Sequence, residues 1–505
     1  MVIFFNHGKL DMLNQTFRSF TYCTTVFFIL SCVAFADKES SSSTNDREVS
    51  THVVVNDLTV NQSRGREKVP AETIEPNNML LSLDDLIVIA LKNNKMIEVV
   101  KQKAAQSAGQ LTMAQSGYLP QLALEGRYFY TERQDSAASN IGTNADGQSI
   151  PISDETEEDD IVHGAFNISQ LIYDFGKTTG AIDVGRANVQ AADFQLQRQL
   201  QDILFQVKEA YYNVLEKKRL IDVADESVKN FQQHLDRANI YYKTGTRTKI
   251  DVINAEVELS NAKMNLVRTR YNLKTARVAL EKVLGKKPNH GQYSVSDNGV
   301  TIDNVLASMP PVNATLEDLI QFALEQRPDL QQLKQLTEAA KANMKSAQGD
   351  YWPSITAEAR YNDYDTNLSL YKDSWEVGVA ASWKIFSGLH TQGAVAEARG
   401  GLLENKALLK DLELTITSEV TESYLNADEN RESVQIALQT LELAKENLTL
   451  AQKRYESGSY DVIEFNDAQL SLTRTQSELV VTYYNYLTAF AGIENAVGKQ
   501  LAGEM

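Results

Sequence analysis

The strongest constraint on this chain is that its sequence follows one plan twice. Leu83 to Tyr128 aligns with Leu316 to Tyr361 at a constant offset of 233, with Gly117-Tyr118-Leu119-Pro120 against Asp350-Tyr351-Trp352-Pro353. Past Ile161 the match resumes at an offset of 213: Tyr211 falls on Tyr424, Tyr242 on Tyr455, Gly245 on Gly458 and Gly285 on Gly498. The 20-residue difference lies in one acidic stretch between about Thr131 and Ile161. A plan written twice folds as similar units side by side. The 505 residues therefore divide into two halves, not the three domains that length alone suggests. The expected organisation is a signal peptide over 1–36, a disordered leader over 37–78, a first repeat over 79–300 and a second over 301–505. Each repeat reads as helix, two strands and a long helical hairpin.

Proline placement and hydrophobic period predict those hairpins. Residues 152–287 and 354–505 contain none of the nine prolines, and helix interiors exclude proline. Leu200, Val207, Val214, Ile221, Val228, Leu235 and Tyr242 recur every seven residues. After Gly245 the series restarts as Val252, Leu259, Leu266, Leu273 and Leu280, with Phe465, Leu472, Leu479, Tyr486 and Ile493 as its second-half counterpart. A strict seven-residue period implies left-handed coiling of packed helices. The first long helix is expected from about Ala187 to Tyr242. Gly245 and Gly458 interrupt each run at one equivalent point, as a glycine in the left-handed region would.

The segments before each hairpin change period. Leu122, Leu124, Gly126, Tyr128 and Tyr130 alternate with polar neighbours; so do Val162, Phe166, Ile168 and Ile172, then Ile355, Ala357, Ala359 and Tyr361, then Trp375, Val377, Val379, Ala381 and Trp383. Four strands of about ten residues, apolar on one face, carry the dyad pattern of membrane barrels. A soluble sandwich would use the same alternation. Tyr118, Tyr173, Trp352, Trp375 and Trp383 fall at strand ends, where an interfacial aromatic girdle would sit. Asp154 to Asp160 reads as an acidic loop joining the first two strands. Four strands cannot close around a lumen, and open edges in lipid leave backbone groups unpaired. Three copies would give twelve strands.

The N-terminus has the features of an export signal. Lys9 and Arg18 precede an apolar run from Tyr22 to Ala34, and Ala34-Phe35-Ala36 is an A-x-A cleavage site. A start at Met12 would give a more usual signal length, and an uncleaved anchor is the alternative. Both cysteines, Cys23 and Cys32, lie in this segment. Ile29-Leu30-Ser31-Cys32 is a partial lipoprotein signal, so lipidation at Cys32 is a rival outcome. The net charge of -18 leaves no basic stripe for nucleic acid. The six histidines are scattered, and no HExxH, P-loop, nucleophile elbow or paired-cysteine motif occurs. No enzyme activity, cofactor or metal site is expected.

Taken together and in order, these residues resemble the TolC family of outer-membrane efflux and secretion ducts over about residues 82–500. The resemblance is carried by the duplication, the Tyr-Leu-Pro and Tyr-Trp-Pro strand entries, Tyr173-Asp174-Phe175-Gly176-Lys177 and Phe386-Ser387-Gly388 at the strand exits, and Tyr242-Lys243-Thr244-Gly245-Thr246-Arg247 and Tyr455-Glu456-Ser457-Gly458 at the hairpin tips. It implies a homotrimer with a twelve-stranded barrel in outer-membrane lipid and an α-helical tunnel in the periplasm. It also implies docking to a periplasmic adaptor and an inner-membrane pump, ABC-type or proton-driven. The alternative is a soluble periplasmic coiled-coil scaffold or adaptor. Members of the family close the periplasmic end by polar links between Tyr, Arg and Asp. Carried over, the aperture residues are Tyr242, Arg247, Asp251 and Asn254 in the first repeat and Tyr455, Tyr460, Glu464 and Asp467 in the second. The tip turns at Gly245 and Gly458 would meet the adaptor. The family's arginine belongs to the second repeat, whereas here Arg247 stands in the first and Tyr460 occupies its counterpart position. Repeated three-fold, Asp251, Glu464 and Asp467 would form a carboxylate ring, which selects by sign.

Overall fold

A computed structural model describes residues 80–134, 141–143, 149–151, 156–288, 293–296, 304–365, 373–456 and 462–501. The signal and leader expectations, Gly458 and Tyr460 lie outside the described residues. In chain order the elements are β1 (Leu80–Leu81), α1 (Leu83–Asn93), α2 (Lys95–Ser116), β2 (Gln121–Gln134), β3 (Ile141–Thr143), β4 (Ser149–Pro151), β5 (Thr156–Tyr173), α3 (Lys177–Lys243), α4 (Lys249–Val283), β6 (Ser294–Val295), α5 (Leu316–Gln326), α6 (Pro328–Gly349), β7 (Ser354–Asp365), β8 (Asp373–Ser382), α7 (His390–Glu456) and α8 (Val462–Val497). Helix lengths recur in pairs: α1 and α5 have 11 residues each, α2 and α6 have 22, and α3 and α7 have 67. At ~1.5 Å per residue, each 67-residue helix runs about 100 Å. The first long helix begins ten residues before the sequence expectation. Gly180, absent from a heptad seam, carries it through a crossing where a Cβ would come within 2.7 Å of Ser346 on α6.

Local chemistry sets the helix ends. Ser82 caps α1 by accepting from Asp85 N at 3.3 Å, and Thr315 caps α5 by accepting from Asp318 N at 3.2 Å. Such caps contribute about 1 kcal/mol each. The strand-to-helix corners need left-handed backbone, at Phe175 (φ 54) and Gly176 (φ 96) in one repeat and Gly388 (φ 61) and Leu389 (φ 69) in the other. Asp174 Oδ2 and Ser387 Oγ, at equivalent positions, each accept a backbone N–H of the following helix, from Thr178 and Thr391 respectively.

The helical core lies between the hairpins, where Val207, Tyr211 and Val214 of α3 join Leu280 of α4, Val434 and Leu441 of α7 and Leu479 and Tyr486 of α8. A smaller cluster sets Leu319, Ala323 and Leu330 of α5 and α6 against Ile416, Val420 and Ile493. Burying each such Leu, Ile or Val stabilises by about 1.5–3 kcal/mol. The α3–α8 contact is more polar. It includes Lys208 with Glu494 at 2.5 Å, Arg198 donating to Asn495 O and Ser227 near Thr473.

The sheet is antiparallel in the order β2-β5-β7-β8. Its register brings the alternating faces into line. Leu122, Ile168, Ala359 and Val377 form one row, and Phe166, Tyr361 and Trp375 the next. The opposite face carries Glu125, Arg127, Asn167, Ser169, Glu358, Arg360 and Glu376. There Arg360 donates to Asn167 Oδ1 at 2.8 Å. Two strands run well beyond the expected length of about ten residues, with 14 in β2 and 18 in β5. The acidic stretch is accordingly not all loop. Thr156 to Asp160 continue β5, paired with Gln134 to Tyr130. Backbone pairing overrides the loop-like composition there: the hairpin is already closed, so each added pair meets no new loop-closure cost and gains its ladder bonds.

Candidate functional site: the hairpin ends and the sheet

The end of the first hairpin is built by its turn. Gly245 takes φ 75; Gly245 N donates to Tyr242 O at 3.1 Å and Thr246 N to Tyr241 O at 2.9 Å. These two bonds are the Schellman closure of α3. Thr248 then starts α4 with a reciprocal cap, its N–H and hydroxyl both donating to Asp251 Oδ2, at 3.0 and 3.1 Å. Asp251 is consequently buried and engaged locally.

Arg247, between turn and cap, reaches the other hairpin. Its Nη2 donates to Tyr455 O at 3.4 Å, and its guanidinium lies 4.8 Å from the Tyr455 ring centre. A cation over an aromatic face contributes about 0.5–2 kcal/mol, depending on desolvation. Tyr455 is only 4% exposed, and its ring also meets Phe465 at 5.6 Å, His234 at 5.5 Å and Tyr241 at 6.3 Å. Burial is the main cause that pushes its phenol pKa up. Tyr242, the repeat-equivalent of Tyr455, is 46% exposed.

The sequence-selected aperture set is thus brought together only in part. Arg247 and Tyr455 touch. Asp251 serves as a cap, and Asn254 is half-buried one turn on. Glu464 pairs with Arg454 at 3.3 Å, and Asp467 is exposed on α8. His234, Tyr241 and Phe465 were missed. A signal existed: Ser227, His234 and Tyr241 recur every seven residues, out of phase with the apolar series, as a second stripe on α3 that faces α8 and α7.

The aromatic positions fall in two groups. Tyr118, Tyr173, Trp352 and Trp383 gather where strands meet helices. There Phe175 stacks on Trp352 at 5.4 Å and meets Tyr173 at 4.7 Å, and Trp383 Nε1 donates to Tyr351 O at 3.1 Å. Trp375 lies toward the opposite end of the sheet, beside Tyr361 and on the face that also carries Tyr128 and Tyr130, all exposed. The same face also exposes Leu122, Leu124, Val377 and Val379. Among the described residues no helix is long and apolar enough to cross a membrane, and no group of three or more metal-ligating side chains occurs.

An exposed apolar sheet face joined to two hairpins, each led by a 67-residue helix, defines a channel protomer with a β portion and a helical tunnel portion. The family model described as outer membrane efflux protein matches residues 86–286 and 319–499, and the chain belongs to that family of outer-membrane proteins. It is 23% identical over 419 residues to outer membrane protein TolC of Escherichia coli (strain K12), covering 79% of each. It is 20% identical to the alkaline protease secretion protein AprF of Pseudomonas aeruginosa, covering 83% of this chain and 84% of that one. Among solved structures it superposes on CusC with a TM-score of 0.72 at 19% identity, over 83% of this chain and 92% of that one.

Proposed function

We propose that the chain is one protomer of a homotrimeric duct that passively carries cargo from an inner-membrane pump and a periplasmic adaptor through the outer membrane. It acts as a conduit and catalyses no reaction. The observation that carries this reading is the sheet. Among the described residues β2 and β8 have no partner strand on their outer edges, while one face presents exposed Leu122, Leu124, Tyr128, Trp375, Val377 and Val379. In lipid each unpaired backbone group costs several kcal/mol. Two further copies, β2 against β8, close twelve strands and remove every edge.

The helices support the same assembly. On α7, Leu403, Leu414, Leu425 and Ile436 are exposed at eleven-residue spacing, and Leu443 and Leu450 continue at seven. On α4, Ile250, Val257, Met264 and Tyr271 are exposed at seven. An eleven-residue repeat coils right-handed and a seven-residue repeat left-handed. The pattern fits a tunnel wall near the barrel that gives way to ordinary coiled coils toward the tips. In this reading Tyr242, Arg247, Asp251, Asn254, Tyr455, Tyr460, Glu464 and Asp467 surround the periplasmic aperture. Gly245 and Gly458 form the adaptor-facing turns. Native mass spectrometry of the detergent-purified protein should give three chains per particle, and planar bilayers should show discrete conductance. A stable monomer without conductance would overturn the proposal.

A further inference from the structure

We propose that His234 is a proton-operated release for the contact between the two hairpin ends. Its neutral ring is what the closed packing requires, and protonation parts α3 from Tyr455 and Phe465. The inference concerns the hairpin contact itself; its consequence for conduction rests on the aperture reading above.

The side chain is 1% exposed, and neither Nδ1 nor Nε2 has a hydrogen-bond partner. Its ring lies 4.7 Å from Phe465, with 30° between planes, and 5.5 Å from Tyr455. An imidazolium presents two N–H donors, and this packing offers neither of them an acceptor. The surrounding charges decide the sign. On α3 itself, Arg237 disfavours a second cation. On α4, Asp251 favours one, but its carboxylate is held by Thr248. On α7, Tyr455 brings an uncharged, unpartnered phenol whose ring already holds Arg247. On α8, Phe465 brings no charge, and the neighbouring Glu464 meets Arg454 through Oε1, keeps Oε2 buried without a hydrogen bond, and is not among the charges acting on His234. Burial first, and Arg237 second, lower the imidazole pKa from 6.5 to about 4.

The closed contact therefore binds a proton roughly 300-fold more weakly than a solvated imidazole does. Above about pH 6.5 the histidine is neutral in both states, and opening is independent of pH. Between about 6.5 and 4 the open state takes up the proton and the closed state does not, so acid favours opening. Below about 4 both states are charged and the effect saturates. The equivalent residue of the second repeat is Asn447, so the device belongs to one hairpin only.

The test uses the full chain in detergent, with Cys23 and Cys32 replaced by Ser and spin labels on Gln232→Cys of α3 and Lys453→Cys of α7, both exposed positions. The label separation should be short at pH 8 and lengthen at pH 4.5, with a midpoint between. His234→Phe should stay short throughout, and His234→Gln provides the same reading should the phenylalanine variant fail to assemble. A separation that ignores pH overturns the proposal, as does acid lengthening that survives in both variants. Bilayer conductance of the same proteins separates the two claims. Acid separation without a rise in conductance keeps the release and removes the aperture from this place.

Discussion

The two halves of this molecule solve one problem with different chemistry. At the junction of α1 and α2, Asn94 donates from Nδ2 to Val283 O at 2.8 Å and accepts from Met96 N at 2.8 Å. At the equivalent junction of α5 and α6, Arg327 donates to Ala496 O at 3.0 Å, and Val283 and Ala496 are themselves repeat-equivalents. Each side chain ties a short-helix junction to the end of the hairpin's return helix. The first half does this with a neutral amide. The second uses a guanidinium that is 2% exposed, held by Asp329 at 2.7 Å and Glu419 at 2.6 Å, so that α7 joins the clamp. Duplication preserves the carbonyl to be satisfied and leaves the donor free to diverge.

The largest effects should come from breaking this clamp on its charged side. Arg327→Ala should cost about 2–4 kcal/mol, since Ala496 O loses its donor and two carboxylates lose their cation. Urea unfolding in micelles, followed by helical circular dichroism, measures it. The pH dependence sharpens the comparison. Burial alone would raise the Asp329 pKa, but hydrogen bonding and attraction from Arg327 hold it below the usual carboxylate range. The carboxylate's contribution is therefore complete above the unfolded pKa near 4 and is lost as the pH falls through the lower folded value. The gap between wild type and Arg327→Ala should shrink in acid.

The neutral side should break more cheaply. Asn94→Ala removes one cap and one long-range hydrogen bond and should cost about 1–2 kcal/mol, without that acid dependence. A loss equal to that of Arg327→Ala would mean that the two clamps do not differ in the way their chemistry says. Gly245→Ala tests the turn that the hairpins were expected to share. Open space surrounds the position, so only the left-handed backbone resists a Cβ, and the loss should be about 1 kcal/mol.

Much of this was legible in the sequence where a period or a special backbone was involved. Seven-residue spacing marked the α3–α4 hairpin, the alternation marked β2, β5, β7 and β8, and Gly245 marked the first tip. What escaped depends on contacts between residues far apart in the chain. Nothing near Arg327 announces that Ala496 O and Glu419 will meet it. His234 lay off the apolar heptad, so its burial against Tyr455 and Phe465 required knowing that α7 and α8 would cover that face. The acidic stretch misled for the reverse reason: its composition is that of a loop, and only pairing with β2 reveals a strand.

The smallest predicted effects sharpen the second asymmetry, between Tyr242 and Tyr455. The phenol of Tyr455 is buried without a hydrogen-bond partner, so Tyr455→Phe gives up no bond and sheds a desolvated hydroxyl. Stability should be unchanged or slightly raised, by less than about 1 kcal/mol. The ring remains for Arg247 to lie on. Arg247→Ala removes the link from both ring and carbonyl, and under the aperture reading it should raise single-channel conductance while Tyr455→Phe leaves it unchanged. If the phenylalanine variant opens the channel as far as the alanine variant does, the hydroxyl must find a partner in a neighbouring copy. The closure would then run between protomers, beyond the ring contact seen within one.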